Sequence, residues 1–227
     1  MRRRSAITGF AAAASAIGIA GCAGFPTAGS DGGDAPSVVD GFAEDSGDPD
    51  DDNAEVSPQP ERPECEVDSV VIDVDIGGET REFGTAATVP YPDPPESTGE
   101  TASIEEAAVL DYVPAFEEAY LTQEILCDQT GSGHVLSVDY RTDRIEPFDR
   151  TGGGRIVYLR YVGGATAGVD DGGMWQADIA FTAVAYAVDA TGTARIELDD
   201  PRERSRSEIR SDLPDPVEEG DLVAAFR

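Results

Sequence analysis

Residues 103–128 read SIEEAAVLDYVPAFEEAYLTQEILCD, and the predicted fold is built around this segment. Its apolar residues recur every three or four positions, which is the period of a helix with one buried face. The predicted core face consists of Val109, Tyr112, Val113, Phe116, Ala119, Tyr120 and Cys127. A thinner stripe on the opposite side consists of Leu110, Leu121 and Ile125. We expect the second stripe to contact the N-terminal hairpin or another molecule.

The ends of this helix follow from local signals. Ser103 and Glu106 have the spacing of a capping box, which predicts that the helix begins at Ser103. Pro114 lies inside the pattern. Proline lacks a backbone N–H and clashes with the preceding turn, so we expect a kink or a break there. The helix should end near Asp128.

A β-hairpin is predicted before the helix. Apolar residues alternate with polar ones from Val70 to Ile76, which is the period of a half-buried strand. Gly77-Gly78 suits a tight turn, and Thr80 to Val89 can return as the second strand. The proline-rich stretch 91–95 must be extended.

Four strands are predicted after the helix, namely His134–Arg141, Arg155–Val162, Trp175–Val188 and Arg195–Leu198. Glycines at 152–154, 163–164 and 172–173 predict hairpin turns rather than phosphate loops, because none leads into a helix and the chain has no lysine. Hairpin connections make the sheet antiparallel. The expected fold class is therefore α+β, with one long helix packed on an antiparallel sheet in two layers, preceded by a β-hairpin. This element order resembles the cystatin-like and NTF2-like classes.

Charge excludes some partners and indicates an environment. The 227 residues include 46 acidic residues and 16 basic ones, all of them arginine, for a net charge of −30. Such a surface argues against nucleic acid and against electrostatic attachment to anionic lipid. Residues 65–227 carry 34 of the acidic residues and 12 of the arginines, so the excess is not confined to one tail. Molar salt shortens the Debye length to about 3 Å and makes this charge tolerable.

The N-terminus predicts export. Met1–Arg4 is a positive segment, and residues 6–20 are apolar but too short to span a membrane. Ile19-Ala20-Gly21-Cys22 resembles the lipobox of secreted lipoproteins, which implies cleavage after a signal peptide of residues 1–21 and a lipid on Cys22. The alternative is an ordinary secretory signal beside an unrelated cysteine. The arginines before Ser5 resemble a twin-arginine signal.

Composition divides the rest of the chain into a linker and a domain. Residues 22–64 are rich in Asp, Gly, Pro, Ser and Ala, so we expect a lipidated, disordered acidic linker. The acidic run 48–53 is not a calcium loop, because Asn53 stands where glycine is needed. Residues 65–227 should form a single α+β domain.

Two cysteines remain beside Cys22. Cys65 and Cys127 form an even pair in an exported domain, which favours a disulfide. A disulfide between them would close a loop of 62 residues. In the chain-entropy model, this closure stabilises the fold by about 4 kcal/mol. The alternative is a pair of buried free thiols, since Cys127 lies on the core face of the helix.

Candidates for chemistry are few. His134 is the only histidine, and no G-x-S-x-G or H-E-x-x-H motif accompanies it, so we predict no catalytic residue, metal or cofactor. The only basic cluster is Arg202, Arg204, Arg206 and Arg210, which indicates either an anion or acidic-partner patch or charge balance with neighbouring acids. The aromatic residues Tyr158, Tyr161, Trp175, Phe181 and Tyr186 are expected in the core rather than in a ligand cage.

Several features together resemble uncharacterised surface lipoproteins of haloarchaea. They are the lipobox, the acidic linker, the stretch 91–95, Phe116–Tyr120 within the helix and Gly220–Val223. The resemblance implies a tethered protein on the outer face of the membrane and implies no activity. The leading hypothesis is a non-catalytic binding or interaction module. A small-ligand carrier with a pocket between helix and sheet, and a hydrolase with an unrecognised site, stay open.

Overall fold

The computed structural model describes residues 37–42, 58–98, 103–128, 133–151, 153–169 and 173–226. The signal peptide and Cys22 lie outside these residues. The helices are α1 (Val38–Gly41), α2 (Glu106–Cys127), α3 (Arg206–Asp212) and α4 (Pro216–Glu219). The strands are β1 (Val71–Ile76), β2 (Glu79–Gly84), β3 (Ser97–Thr98), β4 (Ser103–Ile104), β5 (Gly133–Asp149), β6 (Arg155–Val169), β7 (Met174–Val188), β8 (Gly192–Leu198) and β9 (Asp221–Ala225).

The architecture is α+β, with α2 packed on a curled antiparallel sheet. The sheet has the strand order β5-β6-β7-β8-β9, so each strand pairs with the next one along the chain. Side chains of α2 interleave with every second residue of β6 and β7, and the predicted core-face residues Val109, Val113 and Phe116 are fully buried. No helix in the described ranges is both long and apolar enough to cross a membrane.

The start of α2 differs from the prediction. Ser103 does not cap the helix, because Ser103–Ile104 pairs as β4 with the short strand β3. Glu105 takes the N-cap position without a side-chain hydrogen bond. Pro114 does not break the helix, which continues to Cys127. The packing of Val113 and Phe116 against the sheet holds the residues on either side of the missing N–H in place.

The extended segment that follows the β1–β2 hairpin packs against a second side of α2. The ring of Tyr91 lies 4.8 Å from the ring of Phe116, and the Gln123 side-chain amide donates to the Val89 carbonyl at 3.0 Å. Leu121, from the predicted second stripe, is only 4% exposed. The helix is therefore buried on more than one side, which explains why its apolar pattern is broad.

The first two strands after α2 are longer than predicted. β5 has 17 residues and β6 has 15. Gly163 and Gly164, predicted as a turn, lie inside β6 opposite Ile179 and Asp178, next to a register shift at Val162. They occupy extended backbone, so the turn prediction is wrong here. The strand β9, Asp221–Ala225, was not predicted.

The opposite face of the sheet is also covered at one end, so the expected two layers describe only part of the domain. Ala187 and Ala194 pack with Val217 of α4, and Tyr158 and Ala183 pack with α3. α3 packs on residues of β5, β6 and β7, whereas α4 packs on residues of β7, β8 and β9. The helix α3 was not predicted, although Ser205 and Glu208 form a capping box at its start.

The structure contains the predicted disulfide and the predicted hairpin, although the return strand β2 ends at Gly84 rather than at Val89. Cys65 and Cys127 are bonded, with their Cα atoms 5.8 Å apart, and join the segment before β1 to the end of α2. β1 pairs with β2 through a turn in which Gly77 and Gly78 have φ angles of 66° and 87°. These positive angles are the reason that glycine stands at both positions.

Part of the predicted linker docks on the domain. Val38 in α1 is fully buried, and its backbone N–H donates to an Asp189 carboxylate oxygen at 2.7 Å. The N–H of Val39 donates to the Thr191 hydroxyl at 3.2 Å. Val38 enters an apolar pocket that also contains Val217. These six described residues, 37–42, are therefore bound to the end of the sheet.

Candidate functional site

A buried ion pair joins the long helix to the sheet. The Arg195 guanidinium on β8 donates two hydrogen bonds, each of 2.9 Å, to the Glu117 carboxylate of α2. The Tyr186 hydroxyl donates to the same carboxylate, and the Arg195 guanidinium lies 4.2 Å above the Tyr120 ring. Glu117 is fully buried and the Arg195 side chain is 10% exposed. Solvent has little access to this ion pair, and the negative charge of Glu117 offsets the positive charge of Arg195.

The electrostatics of this cluster favour the paired state. Burial disfavours the charged guanidinium, but the hydrogen bonds and charge of Glu117 outweigh burial and raise the pKa of Arg195 above its ordinary value. Burial, followed by the nearby Glu117 charge, raises the pKa of Tyr186 well above its ordinary value. Neither group titrates near neutral pH. The cluster is a structural link between α2 and β8 rather than an acid–base site.

The space between helix and sheet, where the alternative hypothesis of a ligand carrier placed a pocket, contains packed aromatic rings. The ring of Phe116 lies 5.5 Å from that of Tyr112 and 5.9 Å from that of Tyr186. A shallow cavity of about 240 Å³ lies instead on the opposite face, between β8 and α3. Its charged lining residues are Glu197, Asp199, Asp200, Arg204, Asp212 and Glu219.

The predicted arginine patch is largely a set of ion pairs. Arg202 and Arg204 both contact Asp200, at 2.8 and 3.2 Å. Arg206 pairs with Glu146 of β5. Arg210 has no ion-pair partner among the described residues. The neighbouring carboxylates offset the charge of the other three arginines, so the patch offers an anion little free positive charge.

His134 is placed where the sequence predicts it. His134 lies near the start of β5 opposite Gly168 of β6, which agrees with its prediction as a strand-start residue. Within the described ranges, no three His, Cys, Asp or Glu side chains are placed to hold a metal ion. Asp170 and Asp171 lie outside those ranges.

The most unusual surface is an open sheet edge. β8 pairs only with Ala183–Val188 of the 15-residue strand β7. The first part of β7, Met174–Thr182, pairs with β6 on one side and with no described strand on the other. We call Met174–Thr182 the open edge. An unpaired strand edge offers backbone N–H and C=O groups to another strand.

Exposed apolar side chains accompany these backbone groups. Trp175 is 56% exposed, Met174 46% and Phe181 40%, which corrects the prediction that Trp175 and Phe181 belong to the core. Tyr158, Tyr161 and Tyr186 are buried as predicted. A sequence signal for the open edge existed: its nine residues include one charge, Asp178, in a chain in which 27% of residues are charged.

The other long edge of the sheet is built differently. β5 carries Asp139, Arg141, Asp143, Arg144, Glu146, Pro147 and Asp149. Charges and proline on an edge strand discourage pairing with another chain. The side chain of Arg206 also donates to the Pro147 carbonyl at 2.6 Å. The open edge carries only one charge and no proline, so it lacks these features of β5.

Within the described residues, fold and site together define an α+β domain with aromatic rings packed between helix and sheet and with the open edge on β7. No protein-family model, curated protein or solved structure matches the chain.

Proposed function

We propose that the protein is a surface lipoprotein of a hypersaline environment, held on the outer face of the cell membrane by a lipid on Cys22. Support comes from the signal-like residues 1–21, the lipobox ending at Cys22 and the net charge of −30. The arginines near the N-terminus support export by the twin-arginine pathway. The resemblance to haloarchaeal lipoproteins supports a location on the outer face of the cell membrane.

The docked residues 37–42 shorten the tether in this proposal. Only residues 23–36 separate Cys22 from the docked Ser37. Fully extended, these residues reach at most about 50 Å. The end of the sheet that carries α1 then lies nearer the membrane than a free linker over the whole of 22–64 would require.

The folded domain acts as a non-catalytic interaction module. The open edge is the observation that carries this function, because it combines free backbone groups with exposed Trp175, Met174 and Phe181. An extended partner strand can add to such an edge, with main-chain hydrogen bonds giving affinity and side-chain contacts giving specificity. The proposal includes the finer fold class, cystatin-like or NTF2-like, which by itself implies no activity.

The anchor is tested by fractionating cells that express the wild-type protein, Cys22→Ser or the matched control Ser30→Ala. We expect the wild type and Ser30→Ala in the membrane fraction and Cys22→Ser outside it after a salt wash. A Cys22→Ser protein that stays with the membrane contradicts the lipid anchor.

The module is tested by placing a photoreactive amino acid at position 175 of the anchored protein, with position 111 on the exposed side of α2 as the control. Illumination of intact cells should cross-link the protein from position 175 and not from position 111. Equal cross-linking from both positions, or none from either, contradicts binding at the open edge.

A further inference from the structure

We infer that the partner of the open edge is a second copy of this chain, bound by antiparallel pairing of the two β7 strands about a two-fold axis at Ala177. This inference rests on the proposed interaction module and names its partner. A two-fold interface requires one surface that is complementary to itself, and an antiparallel strand edge satisfies this requirement when its residues match in reverse order.

Two copies of the open edge are complementary to each other in one antiparallel register. With Ala177 opposite its own equivalent, Gln176 lies opposite Asp178 of the second copy, and Met174 lies opposite Ala180. Every charged group then faces an amide rather than a like charge. Within one chain the Gln176 amide already lies 3.3 Å from an Asp178 carboxylate oxygen, so the amide and the acid occupy the same face of the strand.

The neighbouring register is unfavourable. Moving the axis by one residue, to Asp178, would place the two Asp178 carboxylates directly opposite each other. Like charges in that position are destabilising. The pairing about Ala177 avoids this contact and keeps Trp175 of each copy beside the strand of the other.

The open edge is long enough to pair with residues 174–180 of a second copy. Pairing about Ala177 joins residues 174–180 of the two copies and stops before Ala183, where β8 begins to occupy the edge. A notch of about 370 Å³ lies at that point, lined by Phe181, Thr182, Glu197, Leu198, Asp199 and Pro201. The notch leaves space where the incoming strand would otherwise meet β8.

Charge sets the condition for association. Each copy carries a net charge of −22 on residues 65–227, and the open edge itself carries one acid. At about 1 M salt the Debye length is about 3 Å, so the repulsion between the remote charges is screened while the strand contacts persist. Association should therefore strengthen as salt increases.

The experiment uses the full chain with Cys22→Ser, purified in about 2 M KCl. Sedimentation should show a monomer–dimer equilibrium. Gln176→Glu should raise the dissociation constant roughly 2- to 30-fold, because like charges then oppose each other twice per dimer. Gln176→Arg should lower it by a similar factor, and unchanged melting temperatures would show that both variants fold.

The register is tested by disulfide trapping. Directly opposite residues of an antiparallel pair have Cα atoms about 4.5–5.5 Å apart, which a disulfide can bridge. Mild oxidation should therefore give a covalent dimer for Ala177→Cys and none for the exposed hairpin control Val71→Cys. A chain that stays monomeric at millimolar concentration, or a dimer that Ala177→Cys does not trap, overturns the inference. Cross-links from position 175 on cells, combined with a monomer in solution, would leave the interaction module standing and contradict only self-pairing.

Discussion

Glu117 and Arg195 are the residues on which the contact between α2 and the sheet depends most. Their ion pair is buried, and each hydrogen bond between them is 2.9 Å long. Removing one member leaves the other charged and buried without its partner, which costs about 3–5 kcal/mol. An exposed pair such as Arg81–Glu79, with side chains 60% and 74% exposed, contributes only about 0–1 kcal/mol.

We therefore expect Glu117→Ala to lower the free energy of unfolding by about 3–5 kcal/mol and Glu79→Ala to change it by less than about 1 kcal/mol. Denaturant unfolding in molar KCl measures both. A Glu117→Ala protein as stable as Glu79→Ala would contradict the structural role of the buried pair.

Glu146 provides a prediction about pH. Hydrogen bonds from Arg144, reinforced by Arg206, outweigh the effect of burial and lower the pKa of Glu146. A carboxyl group with a lowered pKa in the folded state adds stability above its unfolded pKa of about 4.3, and this stability is lost as the pH falls through the folded pKa. Carboxyl NMR titration at molar salt should give a pKa below about 4.3, and Arg144→Gln should raise it. An identical titration in both proteins would contradict the pairing.

At the scale of elements, α1 is a docked piece of a segment that composition assigns to a linker. Its few apolar residues were too sparse to predict order. Docking depends on a pocket made by Ala187, Ala194, Val217 and Leu222. These residues belong to β7, β8, α4 and β9, so the pocket exists only after the sheet has formed. The sequence near Val38 therefore contains no pattern that predicts the docking of α1.

We expect Val38→Asp to release α1, because the pocket cannot hold a charge without a partner. Amide hydrogen exchange at positions 38 and 39 should then approach the unfolded rate, while protection in the centre of β6 is kept. Val71→Asp, at a position that is 69% exposed, is the control and should leave protection at 38 and 39 unchanged. Continued protection there in Val38→Asp would show that the pocket does not hold the segment.

The sequence predicts the elements whose patterns are local. The helix periodicity placed Phe116 and Val109 in the core, and the glycine pair placed the β1–β2 turn, because both signals depend on residues close together in the chain. The low charge of the open edge was a local signal, but that the edge is unpaired could not be predicted, since this depends on β8 being shorter than β7 and pairing only with Ala183–Val188. Trp175 was assigned to the core for the same reason: a large aromatic residue in a strand is usually covered, and coverage depends on distant residues.

The arginine patch was ambiguous for a related reason. Sequence spacing shows four arginines close together, but it does not show that β5 brings Glu146 to Arg206. The same segment contains the capping box of α3, with Ser205 and Glu208 at its ends. One short stretch thus carries a helix start and a set of ion pairs, and the charge pattern obscured the helix signal.

At the scale of the whole molecule, charge and salt set stability. The domain's 34 acidic residues exceed its 12 arginines, and the Debye length falls from about 10 Å at about 0.1 M salt to about 3 Å at 1 M. Repulsion of a few kcal/mol matters against a total stability of about 5–15 kcal/mol. We expect the melting temperature, measured by calorimetry, to rise steeply between about 0.1 and 2 M KCl. A melting temperature that is constant over this range would contradict a hypersaline environment.

We propose that this domain binds its partner at the open edge. Backbone amide hydrogen exchange over Met174–Ala180 tests it most directly, compared between the anchored protein on the membrane and dilute Cys22→Ser protein at the same molar salt. Outward-facing amides of an unpaired strand exchange quickly, and strand addition protects them. We predict protection on the membrane at alternate residues of 174–180 and unchanged exchange in α2. Equal, fast exchange of these amides in both states would contradict the account.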